Sequence, residues 1–372
     1  MSEKMRVLHI FKIYYPEIFG GVQRVIYDIS EGAADQGIKS RVFSLSKEPN
    51  PVPFPVGRHE AVTVKENLDI ASTGLSFEAF GVFRREAAQA DLLHFHFPWP
   101  FMDILYLASG TKKPSIVTYH SDIVKQSGLL HLYKPLMNRF LRRMDRIVAT
   151  SPNYVETSPT LDRFRNKTAI VELGIPQEEV APDPALVDQW RKRLGSGFFL
   201  FLGALRYYKA LPVLLQAARK TGLPVVIGGT GTEEATLKAA APANVHLIGH
   251  YTEEDRSALL SLALGFVFPS NQRSEAFGIS LLEGARAGLP LICCEIGTGT
   301  THVNLDGQTG LVVPPNDPDS LASAMRRLAS EPATCARLGK GASARFKARF
   351  TAEKMSNAYF DIYRQVIAGQ TP

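Results

Sequence analysis

The chain has 372 residues, enough for two domains, and its 45% hydrophobic and 21% charged content is that of a soluble globular protein. A net charge of +6 suits an anionic partner such as a nucleotide or an acidic membrane surface. No zinc finger, RNP-like pattern or basic low-complexity arm is present, so nucleic acid is not expected as a partner. The three cysteines, Cys293, Cys294 and Cys335, include an adjacent pair and no CxxC, which excludes a disulfide framework and argues against a zinc site. No apolar run reaches the ~18 residues of a membrane-spanning helix. The opening MSEKMRVLHIF has an early acid and too short an apolar stretch for a signal peptide, so a cytoplasmic location is expected.

In chain order, the apolar MRVLHIFKIYY reads as a buried strand ending in the turn PEIFGG. Val22, Val25, Ile26 and Ile29 then recur at helical spacing, with Gly37 as the stop. KSRVFSL, ADLLHFHFP, PSIVTYH, DRIVATS and TAIVELG are further short apolar runs, several separated by helical stretches. Residues 173–187 gather three prolines and a cluster of acids and read as a linker. A second alternation follows: GFFLFLGAL, LPVVIGGTG, VHLIGHY, ALGFVFPS, LPLICCEIG and TGLVVPP, with helices between several of them. AEKMSNAYFDIYRQVIAG closes the chain as a helix. Strands alternating with helices predict α/β architecture with parallel sheets. Two doubly wound domains follow, residues 1–175 and 176–350, with a last helix over about 351–369.

Ligands of such sheets bind beyond the carboxyl ends of the strands, and two such domains facing each other make a cleft. Gly20 and Gly21 open the first helix, where glycines let backbone N–H groups approach an anion; a simple tight turn is the alternative. His120 ends a strand and could donate to a sugar or titrate near neutral pH, or be structural. His94 and His96 share a strand face, but a metal would need a third ligand that the pattern does not supply. Arg206 and Lys209, after a glycine-ended strand, could clamp a diphosphate. Cations are disfavoured at the positive end of a helix dipole, which favours that reading over plain solvation. GGTGTEE, holding Gly229, is a second glycine-rich turn, and it lacks the Lys-Ser/Thr of a P-loop.

The stretch SEAFGISLLEGA carries Glu275 and Glu283 eight positions apart. A helix over FGISLLEGARAG puts Glu275 in the preceding loop and Glu283 on the second turn. The amides of Phe277, Gly278 and Ile279 then face an anion. A carboxylate grips vicinal hydroxyls well. One nucleotide sugar could thus be held by Glu275, the amides and Glu283. The spacing does not suit two glycosidase carboxylates flanking one bond.

This constellation resembles the retaining GT-B glycosyltransferases of family four, over nearly the whole chain. EAFGISLLEGARAGLP carries the likeness most specifically, with the GG loop, HSD, ATS, RYYK, GGTGTE and TGLVVPP in order. The resemblance implies that Gly20 and Gly21 approach the donor phosphates, that His120 contacts the transferred sugar, and that Lys209 binds the diphosphate. It implies sugar hydroxyls on Glu275 and ribose on Glu283, no essential metal and no cofactor, with the last helix crossing back onto the N-terminal domain. The only Asp-x-Asp, Asp317–Asp319, reads instead as a turn and helix cap. Two departures stand out: Ala204 occupies the place of the family arginine, with Arg206 two positions later as a substitute, and Ala210 replaces the glycine after the lysine.

CEIGTGTTHVN and GALRYYK are similar to the mannosyl- and rhamnosyltransferases of bacterial O-polysaccharide assembly. That implies a GDP-sugar donor and a polyprenyl-diphosphate-linked saccharide acceptor, with a UDP-sugar as the alternative. Residues 125–146 add Lys125, Lys134, Arg139, Arg142, Arg143 and Arg146 among leucines including Leu129, Leu130 and Leu132. Such a basic amphipathic stretch can lie on anionic lipid or simply pack on the core. An epimerase on the same architecture and an inactive nucleotide-sugar-binding subunit are the competing readings.

Overall fold

The computed structural model describes residues 5–18, 20–70, 73–123, 127–179 and 181–369, the side chains of residues 127–130 excepted. These fall into two units: residues 1–174 with 352–372, and residues 175–351.

The N-terminal unit is built on an eight-stranded sheet. Its strands are β1 (Arg6–Ile10), β2 (Lys39–Ser46), β3 (Phe54–Val56), β4 (His59–Lys65), β7 (Leu92–Phe97), β8 (Ser115–Tyr119), β9 (Arg146–Ala149) and β10 (Thr168–Ile170). They lie in the order β10-β9-β8-β7-β1-β2-β4-β3, all parallel except the β3–β4 pair. A two-stranded ribbon, β5 (Leu68–Ile70) and β6 (Thr73–Leu75), completes the strands of this unit. β1 and β7 are buried along almost their whole length, their histidines included, because helices cover both faces of such a sheet. The helix Gly21–Asp35 buries Val25, Ile26, Ile29 and Ala33 and is followed by Gly37 in the left-handed region.

The strands from β3 to β6 were not anticipated from sequence. β3, β5 and β6 have three residues each, β3 holds Pro55 at the sheet edge, and the ribbon is stabilised by only a few pairs, whereas β4 has seven residues and pairs with β2 along its length. The three-residue elements carry too little periodicity to be read as strands.

The C-terminal unit has six parallel strands: β11 (Phe198–Leu202), β12 (Val225–Gly228), β13 (Val245–Gly249), β14 (Ala263–Phe268), β15 (Leu291–Cys294) and β16 (Gly310–Val313). Their order, β13-β12-β11-β14-β15-β16, is that of a dinucleotide-binding sheet. Chain direction across the sheet reverses between β11 and β14. The N-terminal sheet has the same kind of switch between β1 and β7.

The helix Ala352–Ile367 belongs to the N-terminal unit, although it follows the C-terminal one in sequence. It buries Met355, Tyr359, Phe360, Tyr363 and Val366. The stripe packs against the helix Gly21–Asp35, where the Ser356 hydroxyl donates to the Asp28 carbonyl at 3.3 Å.

Candidate active site

In the C-terminal unit the switch point lies between the exits of β11 and β14, the place where sheets of this order take ligands. β11 leaves through Gly203 into a short 3-10 turn, Tyr207–Lys209, and then the helix Leu211–Thr221. That turn carries the Lys209 side chain inward until the residue is only 7% exposed. β14 leaves through Ser270 towards Glu275. The Lys209 ammonium and the Glu275 carboxylate meet there as an ion pair. Ser270 donates its hydroxyl to Glu275 Oε2 at 3.4 Å. The face of Phe268 lies 4.2 Å from Lys209 Nζ, a cation–π contact on the apolar side. An ammonium this buried requires such partners. Arg206, by contrast, is exposed and makes no ion pair among the described residues.

Ala210 takes the left-handed conformation, φ 49°, where a glycine would be unstrained. The departure at this position therefore leaves the turn's geometry in place and adds a small strain to it.

Next comes the helix Ile279–Arg286, which begins two residues later than Phe277 because Gly278 is left-handed and ends ahead of left-handed Gly288, near where the sequence places its stop. Glu275 sits in the loop before it and Glu283 on its second turn, as the spacing predicts. Gly278 caps its start with φ 88°, with no side-chain cap and no acid in the first turn. A Cβ on Gly203 would come within 3.9 Å of Ser280 Oγ, so the β11 exit lies close to this helix start. The Phe277 side chain is buried and stacks edge-on with Phe350, so only its backbone is available to a ligand. Glu283 accepts from Arg256 Nη1 at 3.0 Å, a partner the sequence did not announce. Arg256 also pairs with Glu253, so the Glu283 carboxylate is held by a guanidinium fixed at both ends.

Gly229 has a reason of its own for lacking a side chain. A Cβ there would lie 1.9 Å from the Gly203 carbonyl oxygen, at φ 134°. The turn after β12 therefore packs backbone to backbone on the β11 exit, and Leu205 N–H donates to the Thr230 carbonyl at 2.9 Å. Close packing of two loops accounts for this glycine without a ligand.

In the N-terminal unit, Gly20 caps the helix Gly21–Asp35 at φ −112°, an angle open to any residue. At the β1–β7 switch, His9 of β1 is in register with His94 of β7, and His96 lies two residues on. With His120, which follows β8, they form one buried layer in which His96 stacks on His9 and on His120 while the His94 ring is tilted against His9 and His96. His120 Nε2 contacts His96 Nδ1 at 2.9 Å, and His96 Nε2 contacts His9 Nδ1 at 3.1 Å. His94 contacts the Tyr363 hydroxyl at 2.8 Å and the Thr118 hydroxyl at 2.7 Å.

Two expectations change here. Burial pushes the His120 pKa down to about 3, so this imidazole is neutral at physiological pH rather than titrating near neutrality. Burial holds His9, His94 and His96 low in the same way. Second, the missing third neighbour of His94 and His96 is His9, with ligand atoms of all three within 4.8 Å of one another. Both nitrogens of His94 and both of His96 are already engaged in hydrogen bonds, which gives the cluster a structural explanation.

Residues 19–179 match the family described as Glycosyltransferase Family 4, and residues 183–345 match Glycosyl transferases group 1. D-rhamnosyltransferase WbpZ of Pseudomonas aeruginosa is 49% identical over 94% of this chain and 93% of its own. O-antigen chain mannosyltransferase C of Escherichia coli is 45% identical over 99% of this chain and all of its own. The chain belongs to the family-four glycosyltransferases. Among solved structures, sucrose-phosphate synthase from Thermosynechococcus elongatus superposes with a TM-score of 0.82 at 19% identity, covering 98% of this chain and all of its own. The fold is GT-B, two Rossmann-like α/β units.

The remaining sequence features of this glycosyltransferase have structural explanations. Asp317 caps the helix Pro318–Ser330, accepting from the amides of Asp319 and Ser320 at 3.0 Å each. Ser151 caps the helix Pro152–Thr157. The cysteines are free thiols, and burial pushes Cys294 up to about 12. In the basic stretch, Lys125 lies outside the described residues, as do the side chains of Leu129 and Leu130. Met137, Phe140 and Leu141 are core, whereas Leu132 is 81% exposed beside exposed Lys134. A cleft of about 550 Å³ opens beside the strand starts Arg6 and Lys39. Its Arg41 is already paired with Glu60 and Glu86, and it lies at the wrong end of a parallel sheet to be the site.

Proposed function

We propose that this glycosyltransferase moves a hexose, mannose or rhamnose, from a GDP-sugar to a polyprenyl-diphosphate-linked saccharide during synthesis of a cell-surface polysaccharide. The observation that carries the reading is the Lys209–Glu275 pair at the β11–β14 switch point. A cation and a carboxylate held together there suit a ligand with a diphosphate at one end and hydroxyls at the other. The names of the two relatives support the choice of sugar and of polysaccharide assembly.

In this reading the donor diphosphate competes with Glu275 for the Lys209 ammonium. The freed carboxylate takes sugar hydroxyls, while Glu283, braced by Arg256, takes the ribose. The backbone around Gly20, Gly21 and Gly278 approaches phosphates, and exposed Arg206 adds charge. The bond between the anomeric carbon and the phosphate oxygen breaks, and a bond to the acceptor hydroxyl forms on the same face. The acceptor proton passes to the departing phosphate oxygen, and GDP leaves with its charge stabilised by Lys209. No metal enters the step.

No helix among the described residues is long and apolar enough to cross a membrane. Exposed Leu132, Lys134, Arg139, Arg142 and Arg143 share the helix Ser127–Arg143, which supports peripheral contact with the anionic cytoplasmic face.

Calorimetric titration with GDP, UDP and ADP in EDTA tests the donor. Selective binding of GDP is expected. Selective binding of UDP replaces the donor and keeps the fold, and no binding of any nucleotide points to an inactive subunit.

A further inference from the structure

His9, His96 and His120 come from β1, β7 and the end of β8, three neighbouring strands, and form one chain of imidazoles across the sheet. A neutral imidazole has one N–H and one lone pair. His96 uses both nitrogens on its two neighbours, so it donates to one and accepts from the other. The chain therefore has two arrangements. In the first, each ring is protonated at Nε2, and His9 is left with an N–H that has no partner: His9 Nε2 is buried and unpaired. In the second, each ring is protonated at Nδ1. His9 donates to His96, His96 donates to His120, and the surplus N–H is His120 Nδ1.

The two differ in where the spare donor lies. His9 is 0% exposed, whereas His120 keeps 8% of its surface. A buried N–H without an acceptor is among the rarest defects in folded proteins. The second arrangement moves that donor to the one ring of the chain with an outlet and leaves only a lone pair inside.

We propose that His96, backed by His9, is a positioning residue that locks His120 in the Nδ1–H tautomer, so that His120 offers a neutral hydrogen-bond donor, and no base, to an oxygen of the sugar donor. The part played by the sugar rests on the proposed function; the tautomer does not. Burial supports the assignment, because a ring that stays neutral down to about pH 3 neither needs nor releases a second proton in the working range.

The test is long-range proton–nitrogen NMR of the full chain labelled with 15N-histidine, with His120 assigned from the His120→Gln variant. The expected result is a single His120 tautomer at pH 7, protonated at Nδ1 and unprotonated at Nε2. In His96→Phe the His120 signals should move to a mixture of tautomers. Turnover there should fall on the order of 10-fold with nucleotide affinity unchanged, since one lost, weakened hydrogen bond to the reacting sugar has about that size. His96→Gln, which can still donate an amide N–H to His120 Nε2, should restore most of both. A wild-type His120 protonated at Nε2, or a His96→Phe spectrum with His120 unmoved, overturns the proposal. So does a stoichiometric metal ion in the purified protein that is lost in His9→Ala. The wild-type spectrum decides the tautomer even if His96→Phe does not fold. Absence of any transfer activity would count against the proposed function and leave the NMR result standing.

Discussion

Lys209 is held by a carboxylate on one side and by the ring of Phe268 on the other. Its charge is therefore kept in place before any ligand arrives, which is what stabilising a leaving diphosphate requires. Lys209→Ala should lower kcat/KM by a factor on the order of 10²–10³. Glu275→Gln should do the same by losing the sugar contact. The double variant should cost much less than the product of the two, because each single change already leaves its partner without a counter-charge. Kinetics on the four proteins check this; strictly multiplicative losses would mean the two side chains act independently. Both residues were legible from contiguous motifs, RYYK and SEAFG. Their pairing was not, because they stand 66 positions apart and meet only where β11 and β14 become neighbours. Arg256 was illegible for a similar reason: on its own helix it looks like an ordinary surface partner of Glu253, and only the fold brings it to Glu283.

At the scale of elements, the histidine layer is a property of strand register. The alternation of His94 and His96 marked one face of β7. His9, in a different apolar run, joined them only because β1 is parallel to β7 with His9 opposite His94. Four buried neutral rings have a consequence for stability. In the unfolded chain they take up protons near pH 6.5, whereas folded His9 and His120 resist down to about 3 and the other two lie well below 6.5. Below 6.5 the unfolded chain thus binds more protons, and stability falls as pH falls, by about 1.4 kcal/mol per pH unit for each ring. A loss of roughly 3–5 kcal/mol between pH 6 and pH 5 follows for the N-terminal unit. Urea denaturation followed by Trp99, with Trp190→Phe to silence the other unit, measures it. A midpoint level across that range would contradict a buried neutral layer.

The whole molecule was the most legible scale. Apolar runs alternating with helical periodicity led directly to two parallel sheets, since strands buried on both faces are rich in apolar residues. The membership of the last helix in the first unit rested on resemblance alone, because an amphipathic stripe does not say which surface it covers. The three-residue strands β3, β5 and β6 are too short to show a periodicity in sequence. The central claim, a metal-free transfer from a nucleotide sugar with retention, belongs to this scale. The most direct measurement incubates the purified protein with GDP-mannose or GDP-rhamnose and a GlcNAc-diphosphate-lipid acceptor in EDTA, and reads the product's anomeric configuration by NMR. The account predicts one elongated product, with the donor's configuration kept and GDP released in equal amount. No product from either donor, an inverted linkage, or activity that returns only when a divalent cation is added back would contradict it.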